Sequence, residues 1–432
     1  MPPTTIAGPA PGRLTPNQIR GFWAAWGGWA LDGMDSFIYA LVLVPALTEL
    51  LPRSGIAATP GNIGFYGSVL FALFLVGWGL SMLWGPMADR FGRVFTLMLT
   101  ILCYSVFTFL CAIVTGVWQL AVFRLLAGIG IGGEWAMGGT FIAEEWPESR
   151  RQMGAGYMHT GYYFGFFLAA IANYFIGANF GWRWMFAVGG VPALLVGFIR
   201  YGVHESETWK ARTAGAHPTM GRAFTALFSR DYARRTVLNS LYLLVSIVGL
   251  WAGSVYVPAS VTQIAMREGY AAADAARLAS YGTMLLSVGT IGGCIVLPAL
   301  ADRWGRRLTL GVFFALMLFS IAVGFGYVFY LASHALAWFM ACLFVLGVGG
   351  ANFAMYTLWL PEQYSTACRA SAFAFATSVG RFVGAGITFL VGAGVAHYHT
   401  IGTPVAMTAF AFAVGIALLP FGEETKGRPL PA

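Results

Sequence analysis

Gly85-Pro86-Met87-Ala88-Asp89-Arg90-Phe91-Gly92-Arg93 is a short polar stretch between two long apolar runs, and it returns further on as Leu297-Pro298-Ala299-Leu300-Ala301-Asp302-Arg303-Trp304-Gly305-Arg306-Arg307. Asp89 and Asp302 are 213 residues apart. Looser echoes accompany them: Gly130-Ile131-Gly132-Gly133 against Gly347-Val348-Gly349-Gly350, and Pro147-Glu148 against Pro361-Glu362. Repetition at this spacing reads as two halves of a duplication.

The composition says what kind of halves these are. Of the 432 residues 58% are hydrophobic and only 10% charged, with mean hydropathy +0.71, where a soluble domain would be about 25% charged. The 56 glycines suit helices that pack closely in lipid. Twelve apolar segments follow one another, approximately 21–50, 62–84, 94–115, 117–144, 152–176, 181–203, 234–264, 275–300, 308–331, 335–360, 370–396 and 402–421, each long enough for a bilayer. The expectation is an all-α membrane protein of twelve transmembrane helices in two pseudo-symmetric six-helix bundles. Residues 21–203 form the N-terminal bundle and 234–421 the C-terminal one; 204–233 is a polar linker, with an N-terminal segment 1–20 and a tail 422–432.

An even number of spans puts both termini on one side, and the basic residues choose it. Nineteen of the 25 Lys and Arg fall in the termini and every second loop, and four fall in or beside the opposite loops. The expectation is cytoplasmic termini in an inner or plasma membrane. Two arginines remain, Arg124 and Arg381, both inside the membrane.

Several function classes drop out. The net charge of +8 is spread between apolar runs, unlike a nucleic-acid-binding face. The five cysteines form no CxxC and do not suggest a disulfide framework or a metal site. The first 14 residues hold no apolar core of a signal peptide, and Thr15-Pro16 reads as a helix start. No HExxH, GxSxG or GxxxxGK[ST] is present, so neither an enzyme nor an ATP-driven pump is expected, and no cofactor.

Ala30-Leu31-Asp32-Gly33-Met34-Asp35-Ser36-Phe37 is the costliest feature. Asp32 and Asp35 lie about 12 and 15 residues beyond Arg20, roughly 18 and 22 Å into the membrane. They share one helix face, and a carboxylate at that depth costs about 2.5 to 3.5 kcal/mol. A structural pair fixing helix packing is the bland explanation; a proton site is the functional one, because burial and a neighbouring arginine pull a carboxyl in opposite directions.

Arg381 stands about 12 residues beyond Arg369, too deep to snorkel, and its planar fork matches a carboxylate. It is the candidate for binding a substrate's carboxylate, an ion pair with Glu134 or an Asp being the structural alternative. Arg124 could instead snorkel outward. Glu134 is either a second proton site or Arg381's partner. Asn352 and Tyr356 at i, i+4, His159 with Tyr162 and Tyr163, and Trp29 are further lining candidates, each as readily explained by packing.

The Asp-Arg-x-Gly-Arg loop in both halves, with Arg124-Leu125-Leu126-Ala127-Gly128-Ile129-Gly130-Ile131-Gly132, resembles the signature of the major facilitator superfamily along essentially the whole chain. Within it, Asp32-Gly33-Met34-Asp35 is similar to the proton symporters of organic anions, the aromatic-acid group and the sialate and monocarboxylate group. Gly132-Gly133-Glu134-Trp135 and the run from Leu360-Pro361-Glu362 through Arg369-Ala370 to Gly380-Arg381 look most like the latter. His204-Glu205-Ser206-Glu207-Thr208-Trp209 and Glu424-Thr425-Lys426-Gly427 resemble sugar porters, although the seventh segment lacks their Gln-Gln pair and also the polar signature of the yeast lactate permease.

The resemblance implies alternating access around a central cavity, with symport of a proton and a small organic anion such as lactate, pyruvate, sialate or an aromatic acid, by a monomer. It implies that Asp35 faces Arg124; the expected proton carrier is Asp35, with Asp32 assisting. It makes Asp89, Arg90, Arg93, Asp302, Arg303 and Arg306 gating residues that do not touch substrate. A sugar or polyol symporter and a non-transporting sensor of organic acids are the rival expectations.

Overall fold

The computed structural model describes residues 14–206, 209–211, 220–250, 256–398 and 400–431. The first 13 residues with Arg13, Glu207, Thr208 and Arg212 of the linker, and 251–255 of the seventh segment lie outside the described residues. Among those described, every predicted segment is a helix. The twelve rods are α1 (Pro16–Arg53), α2 (Pro60–Leu80, continued by Trp84–Phe91), α3 (Arg93–Cys111), α4 (Val117–Glu145), α5 (Glu148–Ala172), α6 (Trp182–Val188 and Ala193–Gly202), α7 (Ala233–Leu250 and Val257–Arg267), α8 (Ala272–Trp304), α9 (Arg306–Gly326), α10 (Ala335–Gly350 and Asn352–Trp359), α11 (Arg369–Tyr398) and α12 (Gly402–Met407 and Phe410–Leu418).

Local chemistry sets their ends. Thr15 and Gln18 form a reciprocal capping box with Pro16 at the first helical position, and Thr59 caps α2 in the same way without the return bond. α1 bends by 47° between Tyr39 and Leu41. Pro45 lies one turn beyond; its ring crowds the Leu41 carbonyl and leaves it without a donor.

Nine of the described helices are long and apolar enough to cross a membrane by length and composition, and the bent α1 makes ten. α5 falls below that test; of the seventh segment, Ala233–Leu250 and Val257–Arg267 are described. α5 opens with Glu148, Arg150, Arg151 and Gln152 and carries His159, which it tolerates because its polar face packs against α1, α8 and α10 rather than lipid.

The duplication is visible in the packing. α1 lies on α5 as α7 lies on α11; α2 lies on α4 as α8 on α10; α3 lies on α4 as α9 on α10. The bundles meet through α2 with α11 and α5 with α8, again related by six helices. The hydrogen bonds and ion pairs that join the two bundles cluster at the end carrying Asp89 and Asp302 and reach about half way across.

Candidate functional site

At that end each repeated loop turns on a glycine with positive φ, 110° at Gly92 and 90° at Gly305, a conformation only glycine adopts without strain. The turn aims the first N–H groups of α3 and α9 at a carboxylate. Glu205 accepts from Val94 N at 2.9 Å; Glu424 accepts from Arg306 N at 3.0 Å and Arg307 N at 3.1 Å. Burial pushes the Glu205 carboxyl up against these bonds. Burial also acts on Glu424, but donation from Arg306, Arg307 and Lys426 N–H outweighs it and holds the carboxyl below its ordinary value.

The arginines closing each loop match atom for atom. Arg93 donates to the Ala88 carbonyl and pairs bidentately with Glu144 at 3.1 and 3.0 Å. Arg306 donates to the Ala301 carbonyl and pairs with Glu362 at 3.0 and 2.8 Å. Glu144 is therefore the counterpart of Glu362. The echo Pro147-Glu148 against Pro361-Glu362 aligned the wrong glutamate; Glu148 is exposed at the start of α5, because the two connections differ in length.

From these frames the loops reach across the bundle boundary unequally. Asp89 is buried at the N-terminus of α11, accepting from Ser371 N at 2.9 Å, Ser371 Oγ at 2.6 Å and Ala370 N at 3.3 Å, with Arg93 at 3.1 Å. Arg369 closes the same network on Glu144 at 2.9 Å. On the other side Asp302 is exposed and, among the described residues, meets the Gln152 amide alone, at 3.4 Å, while Arg151 reaches Glu362 at 3.6 Å. Arg90 and Arg303 point outward, Arg90 over the Phe91 ring at 5.1 Å.

The intramembrane charges lie deeper. Arg124 stands 3.5 Å from Asp35, both buried, between the Tyr39 and Phe74 rings at 4.5 and 4.3 Å. It does not snorkel. Asp32 faces Glu134 of α4 within hydrogen-bonding range. Arg381, from the other bundle, lies over the Trp78 ring at 3.9 Å, donates to the Thr377 carbonyl and lies within electrostatic reach of Asp32.

The expected central cavity is closed by rings from both bundles. Trp29 stacks on Trp135 at 5.6 Å and lies 4.7 Å from Tyr162. His159 stands 5.4 Å from Trp135 and stacks on Phe353 at 6.1 Å, and Phe373 meets Trp135 edge-on at 5.4 Å. Trp135 Nε1 donates to Thr357 across the boundary at 2.7 Å. Trp29 Nε1, both oxygens of Asp32 and of Glu134, His159 Nδ1 and Asn352 Oδ1 are buried with no hydrogen-bond partner among the described residues. A buried polar group without a partner calls for an explanation, a functional role among them.

Two lining candidates are engaged elsewhere. The Tyr356 hydroxyl lies 2.7 Å from Ser246 and donates to the Tyr242 carbonyl on α7, and the Tyr163 hydroxyl meets Thr290 on α8. Trp135, Phe353, Phe373, Trp78 and Glu144 were not among the sequence candidates. A buried aromatic has no periodic signature apart from ordinary core, and Glu144, beside Glu145 at the end of the helix that carries Arg124 and Glu134, reads in sequence like an ordinary charged helix end.

Two helical bundles meet over a buried charged centre. The chain belongs to the Major Facilitator Superfamily, whose family model matches residues 25–389. It is 32% identical, over 96% of this chain and 92% of the relative, to a "Probable 4-methylmuconolactone transporter" of Cupriavidus pinatubonensis. It is 27% identical to the niacin transporter NiaP of Acinetobacter baylyi, over 94% of each. Among solved structures, the proton:xylose symporter XylE bound to 6-bromo-6-deoxy-D-glucose shares the fold with TM-score 0.77 at 19% identity, covering 96% of this chain and 98% of that one.

Proposed function

We propose that this chain is a proton-coupled symporter of small organic anions, selective for flat ring acids, working by alternating access in the cytoplasmic membrane. The observation that carries the reading is the placing of one cation, Arg381, and several unpartnered polar atoms against an aromatic wall at the bundle boundary. Arg381 binds the carboxylate through its two-pronged donor, and Trp29, Trp135 and Phe353 flank the ring by offset or edge contacts. The niacin and 4-methylmuconolactone relatives are named for ring compounds, which supports this choice over lactate.

The carboxyl groups on α1 and α4 supply the proton site, and one proton moving with a monovalent anion makes transport electroneutral. The Asp89 and Asp302 loops latch the bundles at the cytoplasmic end, the side that the basic residues assign. The joined end then corresponds to a form closed toward the cytoplasm. Asp35 with Arg124 is the fixed ion pair that orients α1 on α4.

A thermal-shift screen tests the reading, since a ligand that binds the native state raises Tm by mass action. Nicotinate, 4-hydroxybenzoate, lactate, sialate and glucose are compared across pH. Ring acids are expected to stabilise the wild type and not Arg381→Gln. Stabilisation by glucose alone refutes the carboxylate role.

A further inference from the structure

We propose that the transported proton is held between Asp32 and Glu134, and that Gly28 forms the notch that brings these two carboxyl groups together. The inference rests on the symport reading above and assigns the carrier within it, in place of Asp35.

The geometry begins on α1. Gly28 and Asp32 are one turn apart and share a face, and a Cβ on Gly28 would stand 1.5 Å from Glu134 Oε1. The glutamate fills the space that the missing side chain leaves. Its carboxyl then meets Asp32, both side chains 0% exposed, and none of the four oxygens accepts a hydrogen bond from another described group. A carboxylate has no donor. Two ionised carboxyls in contact repel, so the contact is a hydrogen bond only when one of them carries a proton. Asp35 differs in kind, because Arg124 at 3.5 Å already neutralises it.

The surroundings complete the device. Charged or titratable groups facing the pair are Asp35 on α1, Tyr104 on α3, His159 and Tyr162 on α5, and Arg381 on α11; α2 contributes the uncharged Trp78. Arg124 on α4 is engaged with Asp35, which leaves Arg381, among the described residues, as the cation within reach of the pair. With no proton on the pair, two negative charges draw Arg381 toward Asp32. One proton, taken from water on the outer side as an O–H bond on either carboxyl, removes one of those charges and leaves the guanidinium to a substrate carboxylate. Release toward the cytoplasm reverses the step with no other bond made or broken.

Infrared difference spectroscopy of the purified protein in lipid reads the carboxylic-acid C=O band as pH is varied. The band is expected to vanish in Asp32→Asn and in Glu134→Gln, to survive in Asp35→Asn and Glu134→Asp, and to shift its midpoint by about one pH unit or more in Gly28→Ala, a tenfold change in proton affinity. In proteoliposomes, Glu134→Gln is expected to retain nicotinate exchange at equal pH and to lose accumulation driven by a pH gradient. A band that persists in Glu134→Gln, or accumulation undiminished in that variant, overturns the inference. Wild type that takes up no nicotinate refutes the substrate assignment instead, while the band still decides where the proton sits.

Discussion

Arg124 holds its guanidinium 3.5 Å from the Asp35 carboxylate, and neither side chain reaches water. Removing one member leaves the other charge buried and alone, which costs about 3 to 5 kcal/mol. Asp35→Asn and Arg124→Gln are each expected to lower Tm strongly, and the double variant to lose clearly less than the two added together. Unfolding of all four proteins in one detergent closes this double-mutant cycle; additive losses would show that the pair is not coupled.

The two repeated loops reach across the bundle boundary unequally. Asp89 accepts three hydrogen bonds at the N-terminus of α11, whereas Asp302 accepts one long bond from Gln152. A bond to a charged group contributes about 1.5 to 3 kcal/mol. Asp89→Asn is therefore expected to part the bundles at this end in more molecules than Asp302→Asn does. Spin-label distances between α2 and α11 at that end provide the check, with a longer-distance population growing only in the Asp89 variant.

Gly85 tests the same contact by bulk. A Cβ there would stand 2.6 Å from the Ser371 Cα, a backbone atom that cannot step aside. Gly85→Leu is expected to hold the bundles apart and expose Ser371. Replacing Ser371 by cysteine and measuring its alkylation gives the readout, expected fast in the leucine variant and slow with Gly85 intact.

Glu424 makes stability depend on acid. Its carboxyl is held below the ordinary value by the N–H groups of α9, so its contribution is fully present above the unfolded-state pKa, about 4.3, and is lost as pH falls through the lower folded value. Glu424→Ala is expected to lower Tm near neutral pH, with the gap from wild type narrowing on the acid side of about pH 4. A gap that stays constant with pH would show that the charge on Glu424 is not what caps α9.

The proposed ring selectivity rests on the aromatic wall. Trp135 touches Trp29, His159, Phe353 and Phe373, and one lost ring contact is worth about 0.5 to 1.5 kcal/mol. Trp135→Leu is expected to weaken nicotinate binding up to about tenfold while leaving lactate binding little changed. Calorimetric titration with both acids separates the two.

The helices were legible because lipid demands long uncharged runs, and the duplication because Asp89 and Asp302 stand in identical contexts. Even α5, too polar for a composition test, was legible from its place between two loops. The charged residues at depth announced themselves by their cost alone: Asp32, Asp35, Arg124, Glu134 and Arg381 were all candidates. Their pairing was only partly readable. The contact of Asp32 with Glu134 depends on how α1 and α4 lean on each other at Gly28, and one glycine among 56 carries no mark of that role. Tyr356 shows the converse, a mid-depth polar residue whose hydroxyl is used on α7.

Uptake into proteoliposomes under an inward proton gradient tests the central claim most directly, with radiolabelled nicotinate and 4-hydroxybenzoate as probes and Arg381→Gln beside wild type. The expected result is accumulation of a ring acid by wild type that a protonophore collapses and an imposed membrane potential does not alter, with no accumulation by Arg381→Gln. Equal accumulation by Arg381→Gln, or accumulation of xylose or glucose in place of either acid, would contradict it.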